Sequence, residues 1–184
     1  MAKWIVWLGL VGALWSGCSA KSEYQELVDS ELQRGVRYDS LFLGLTFGMT
    51  SQEFFDQCWD LNRQGRVMEG ASNTTVLYRM AELPHPASMN FYPEFQQNRI
   101  VQMPVTFAYD AWAPWNKHLF ADSLQLDVLA LFKQWYGDGF IKVTHSTKGD
   151  AYVKVDGNRR ITLYTDADDM QVHALFTDLT AIDH

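Results

Sequence analysis

Between Thr50 and Gly65 the apolar residues fall at helical spacing. Phe54, Cys58 and Leu61 stand at i, i+4 and i+7, with Phe55 and Trp59 widening the stripe. Thr50 and Glu53 have the spacing of a capping box, and Met49 and Phe54 that of a hydrophobic staple. Gly65 supplies the left-handed residue on which such helices end. The pattern predicts a capped helix. Upstream, Tyr24, Leu27, Val28 and Leu32 share one face of a shorter amphipathic helix within residues 21–38, with Gly35 as its stop. Leu41, Leu43, Leu45 and Phe47 alternate as in a short strand leading into the capped helix.

Downstream, residues 74–80 are β-branched and aromatic enough for a strand. Residues 88–92 and 99–109 read as a strand pair joined around 93–98, after a loop at 83–86. Asp122 and Gln125 repeat the capping-box spacing ahead of a second helix, with Val128, Leu131, Phe132 and Trp135 as its buried stripe and Gly137 as its stop. Residues 140–143, 151–155, 161–165 and 172–176 follow as strands. Lys148-Gly149-Asp150 and Asp156-Gly157-Asn158 supply turns between the first three.

Sliding the chain by 72 residues brings Thr50 onto Asp122, Glu53 onto Gln125, Phe54 onto Leu126 and Gly65 onto Gly137. The same offset puts Phe91-Tyr92 on Leu163-Tyr164 and Ile100 on Val172, while the first strand of each half needs a gap. The shared register predicts two degenerate helix-plus-antiparallel-sheet units. The expected fold is α+β, with helices packed on the sheet. The expected division is a signal peptide over 1–17, a tether and short helix over 18–40, and units over 41–110 and 111–184.

The N-terminus changes the picture of where such a fold would sit. Lys3 precedes an apolar run over residues 4–15, too short to span a bilayer and right for a signal peptide. Leu14-Trp-Ser-Gly-Cys18 resembles the lipobox of bacterial lipoproteins, with Trp15 where an aliphatic residue is usual. That resemblance implies lipid on Cys18 after cleavage, and Ser19 in the next position fits outer-membrane sorting. Cys58 is then the one thiol left, so no intramolecular disulfide forms. Loss of Lys3 with the signal leaves 14 basic side chains against 22 acidic ones, a formal charge of −8. Nucleic acid is excluded as a partner on that balance, since phosphates reward clustered Lys and Arg.

Phe47-Gly-Met-Thr-Ser-Gln-Glu-Phe54 resembles the opening of small bacterial envelope lipoproteins. These include the SmpA/OmlA-type accessory subunit of the outer-membrane barrel-assembly machinery and the β-lactamase-inhibitor proteins, the latter built from two such units. The resemblance covers residues 47–54, and the second half only through Asp122 and Gln125. It implies an envelope protein partner and binding without catalysis, and it transfers no site residue.

No catalytic signature is present in the sequence: no Gly-x-Ser-x-Gly, no His-Glu-x-x-His, no phosphate-binding glycine loop and no Cys-x-x-Cys. Cys58 lies on the apolar side of a helix, where a thiol is inert. Asp166, Asp168 and Asp169 lack the glycine and distal Glu of a calcium loop and read as a solvated turn. The five histidines show no zinc spacing. Neither a metal nor a cofactor is expected. The aromatic connector over 109–120 is the candidate binding segment, with Tyr109, Trp112 and Trp115 as its residues. Its aromatics serve either a partner or sugar ring, or the seam between the two halves. Trp115 is expected to be the more buried indole, because Leu119-Phe120 and the second helix follow it. A protein-binding module leads, with a glycan-handling or hydrolytic lipoprotein as the alternative.

Overall fold

The first long helix is closed at both ends by side chains and turns that its sequence specifies. In α2 (Ser51–Arg63) the Glu53 amide donates to the Thr50 hydroxyl, and the Thr50 amide donates to the Glu53 carboxylate at 2.7 Å. At the far end the Arg66 amide reaches the Leu61 carbonyl at 2.9 Å and the Gly65 amide reaches Asn62 at 2.8 Å. With Gly65 at φ 70 this is a Schellman closure. The other long helix, α3 (Ala121–Tyr136), likewise stops at Gly137, at φ 82.

Its start departs from expectation. Phe120 takes the N-cap place in extended conformation and makes no side-chain cap bond. Asp122 accepts from the neighbouring Ser123 amide, and Gln125 reaches away to the Asp150 carbonyl at 3.1 Å. The helix begins two residues earlier than a cap at Asp122 would allow, so the expected second capping box does not form. Asp122 still sits in the first turn, where the helix dipole favours an anion.

The computed structural model describes residues 23–70, 74–145, 149–166 and 170–182. The expected signal peptide and Cys18 lie outside the described residues, as do Lys148, Asp168, Asp169 and His184. Among the described residues the chain is α+β, with three α-helices and nine strands in one antiparallel sheet. The strands are β1 (Val67–Glu69), β2 (Val76–Met80), β3 (Ala87–Phe91), β4 (Glu94–Gln96), β5 (Arg99–Tyr109), β6 (Ile141–His145), β7 (Gly149–Asp156), β8 (Arg159–Thr165) and β9 (Gln171–Asp178). Their order is β1-β2-β3-β5-β9-β8-β7-β6, with β4 on the start of β5. Each long helix therefore feeds a meander, and the last strands of the two meanders pair from Gln102↔Thr177 to Ala108↔Gln171.

Alternation along the strands separates two faces. Met103, Val105 and Phe107 of β5, Ile161 and Leu163 of β8, and Phe176 of β9 face the long helices and are buried. Phe54 of α2 and Leu124, Val128 and Phe132 of α3 close that core. The opposite face holds half-buried polar residues such as Gln102, Thr106, Thr162 and His173. At its β6–β7 end it is covered by α1 (Glu23–Gln33), which lays Tyr24, Leu27, Val28 and Leu32 against Ile141, Val143, Val153, Val155 and Leu179. The segment after α1 is strapped over the β7–β8 turn. Gly157 at φ 52 donates its amide to Glu31, and a Cβ there would meet the Val36 carbonyl oxygen at 1.9 Å.

Residues 41–47 do not form the expected strand. Ser40 and Thr46 make one isolated bridge, and Leu43 and Gly44 turn at φ 54 and 78 with the Leu45 amide bonded to the Phe42 carbonyl. This tight turn puts both Leu41 and Phe42, adjacent in sequence, into the core with Leu45 and Phe47. Alternation here reflects a buried turn, not a pleat.

Candidate functional site

Alpha helix α2 carries more apolar residues than the sheet covers. Phe54 and Leu61 point into the core at 0% and 2% exposure. Phe55 and Trp59, four apart and rotated one position from that stripe, stand at 51% and 65% exposure. They do not widen the core stripe; they form an apolar ledge outside it. Across from them are Val67 and Met68 of β1, Val76 of β2 and Tyr92, and between lies a groove of about 650 Å³. Its floor is an aromatic cluster. Phe54 meets Phe55, Tyr92 and Phe95 edge-on at 5.5, 5.7 and 6.2 Å between centroids.

The polar lining of this groove is acidic. Asp56 and Glu69 line it together with Thr74, Thr75 and Asn62, and among the described residues no Lys, Arg or His lines it. Asp56 accepts from the neutral Gln52 amide at 2.9 Å. Among the described residues neither carboxylate is ion-paired. Cys58 sits half-buried in the floor, and burial pushes its thiol up to about 11. Such a thiol is a packing residue, as its place on the apolar side implied.

The aromatic connector is built differently from its expectation. Tyr109 ends β5 with 3% exposure and donates its hydroxyl to Asp127 of α3. Burial, then the Asp127 carboxylate, raises its phenol. Trp112 is half-buried and stacks on Phe120 at 6.1 Å and 28°. Trp115 is 81% exposed, so the ranking of the two indoles is the reverse of that expected. A short 3-10 turn at Lys117–Leu119 separates Trp115 from α3, and it is Leu119 that enters the core. The three residues make no common platform.

A second cavity of about 420 Å³ lies where the two meanders and the 38–43 segment meet. Arg159, at 4% exposure, dominates it. Its guanidinium donates to the Ser40 carbonyl at 2.7 Å and to Asp156 at 3.0 Å, and stands 4.8 Å from the Tyr136 ring centre. Tyr78 hydrogen bonds Glu82 at 2.6 Å on the other wall, and burial with that carboxylate pushes its phenol up to about 12. Arg159 and the Tyr136 phenol are committed to holding the second half to the 38–43 segment, and the Tyr78 phenol is engaged locally by Glu82. That gives the cavity a structural account.

Chemistry of the catalytic kind is not assembled among the described residues. On the open sheet face His173 Nε2 stands 3.1 Å from Asp166, and its ring stacks on Tyr164 at 5.4 Å. The cross-strand neighbours Thr106 and Tyr164 give it no hydrogen bond, so this is an oriented histidine without a nucleophile. His85 lies 5.9 Å from His118, ring centre to ring centre. No group of three His, Cys, Asp or Glu side chains among the described residues is placed to hold a metal ion. No helix among them is long and apolar enough to cross a membrane. Comparison with known protein families, curated proteins and solved structures gave no match.

A helical wheel counts Phe55 and Trp59 as core, so the sequence alone does not show the groove. One signal was available. With Phe54, Phe55, Cys58, Trp59 and Leu61 all apolar, the stripe is wider than one sheet face covers.

Proposed function

We propose that this chain is a non-catalytic protein-binding module of the bacterial envelope, tethered to a membrane by lipid on Cys18. The observation that carries the binding role is the groove beside α2, where Phe55 and Trp59 are held out to solvent over a fixed aromatic floor. Large side chains kept exposed and adjacent, rimmed by polar residues, are the usual marks of a docking surface. The anchor rests on the order of Lys3, the apolar run and Ser16-Gly17-Cys18. In the same reading the two halves are a degenerate duplication of one helix-plus-meander unit. In support, β3 and β8 begin at Ala87 and Arg159 and β5 and β9 at Arg99 and Gln171, both pairs 72 residues apart.

Photo-cross-linking from position 59 of the intact chain in its own envelope tests the binding role. A discrete cross-linked protein, lost in a Phe55→Ser variant that keeps its unfolding midpoint, is the expected result. Equal cross-linking from the variant overturns it. For the anchor, Cys18→Ser is expected to abolish palmitate labelling and release the protein from membranes. A glycan-handling role is favoured only by Trp115, whose exposure suits stacking on a sugar ring. Retention on a glycan column that Trp115→Ala removes would support that role instead.

A further inference from the structure

We propose that the α2 groove takes a cationic amphipathic segment of another protein: an aliphatic or aromatic anchor set beside lysine or arginine, bound by its side chains. This rests on the reading of that groove as the protein-binding surface and adds what the partner must look like.

Charge selects the cation. Asp56 and Glu69 line opposite walls, no basic residue lines the groove, and neither acid has an ion-pair partner among the described residues. Asp56 lies one helical turn before Trp59, so a cation at that carboxylate is also within reach of an exposed indole face. The chain carries a net charge of −7, which steers cationic partners in and repels acidic ones, a second copy of itself included.

Backbone geometry selects side-chain insertion over strand addition. The Gly70 amide bonds the Thr75 carbonyl, which sets the phase of the β1–β2 ladder. Hydrogen-bonded pairs alternate along such a ladder, so Val67 and Glu69 turn their backbone groups to the outer edge. Asn62 of α2 already donates to the Val67 carbonyl at 2.9 Å. An edge of three residues with one acceptor taken offers too little backbone for an added strand. Affinity is left to Phe55, Trp59, Met68 and Tyr92 gripping an anchor.

The test uses the full chain in detergent and short fluorescent peptides that alternate leucine with lysine, with serine or with glutamate. Binding is read by anisotropy, and oligomeric state by sedimentation. The lysine peptide is expected to bind about tenfold or more tighter than the serine one, and the glutamate peptide not at all. Raising salt from about 0.05 to about 0.5 M should erase most of that margin. Asp56→Asn with Glu69→Gln should remove the margin while the serine peptide still binds. Trp59→Ala should abolish binding of both peptides with the fold intact by unfolding midpoint. Equal affinity for the three peptides, with Trp59→Ala still abolishing binding, overturns the cation preference and leaves the docking surface standing. Undiminished lysine-peptide binding to Trp59→Ala means diffuse attraction to an acidic protein and overturns the proposal. No binding by any peptide, or a dimer that Trp59→Ala dissociates, overturns it too.

Discussion

The Tyr136 hydroxyl donates to the Leu41 carbonyl at 3.0 Å, joining the last turn of α3 to the buried turn that precedes α2. The phenol lies under Arg159 and is raised by burial, so it is a neutral donor at neutral pH. Tyr136→Phe keeps the ring and leaves the Leu41 carbonyl short of a partner. The expected loss is about 1–2 kcal/mol, read as a lower denaturant midpoint at unchanged slope.

The two connector tryptophans should separate cleanly. Trp115→Ala removes a side chain that is 81% exposed and should change stability by no more than about 0.5 kcal/mol. Trp112→Ala removes a half-buried ring stacked on Phe120 and should cost about 1–3 kcal/mol. Paired urea titrations check the ranking, and a greater loss from Trp115→Ala would contradict it.

Cys58 should alkylate slowly at neutral pH. Its thiol is pushed from the ordinary 9.0 to about 11, which lowers the thiolate fraction at pH 7 by about 100-fold. The rate with iodoacetamide should climb through pH 9 without a plateau. An inflection near 8.5 would show that the thiol is solvated.

Asp178 gives the acid limb a specific carrier. Burial acts to raise its carboxyl, but the Thr180 hydroxyl and amide, Asn158 and Arg37 outweigh it and hold the group below the ordinary 3.8. A lowered carboxyl stabilises the fold above the unfolded value and loses that contribution as pH falls through the folded one. Asp178→Asn should therefore be less stable than the parent at pH 6 to 7, with the gap closing below about pH 4. Midpoints measured across that range decide it; a gap that is flat with pH would assign the loss to packing.

What was legible followed from local rules with one solution. Thr50, Glu53 and Gly65 specify the ends of α2 in isolation, and the alternation in Arg99–Tyr109 sets β5 to the residue. What failed needed knowledge of the neighbours. Leu41 to Phe47 alternates as a strand would, yet Gly44 lets the chain reverse and bury adjacent side chains. Strand β1 is three residues between Arg66 and Gly70, too short for a period to show. Trp115 is close in sequence to Leu119, but Pro114 and the 3-10 turn decide which way it faces. The groove was hidden by the same limit, since apolar character at Phe55 and Trp59 does not say which element, if any, will cover them.

The joining of β5 to β9 has a consequence during synthesis. Strand β5 is complete some 60 residues before β9 begins, and at about 5–20 residues per second that is an interval of roughly 3–12 s. Through it β5, the longest strand among the described residues, presents an open hydrogen-bonding edge to any strand that reaches it. The nascent first half is a sheet waiting for its neighbour, and any other unpaired strand nearby is a competitor for the same place. A chain cut before Gln171 should therefore self-associate through that edge where the full chain does not, read by sedimentation.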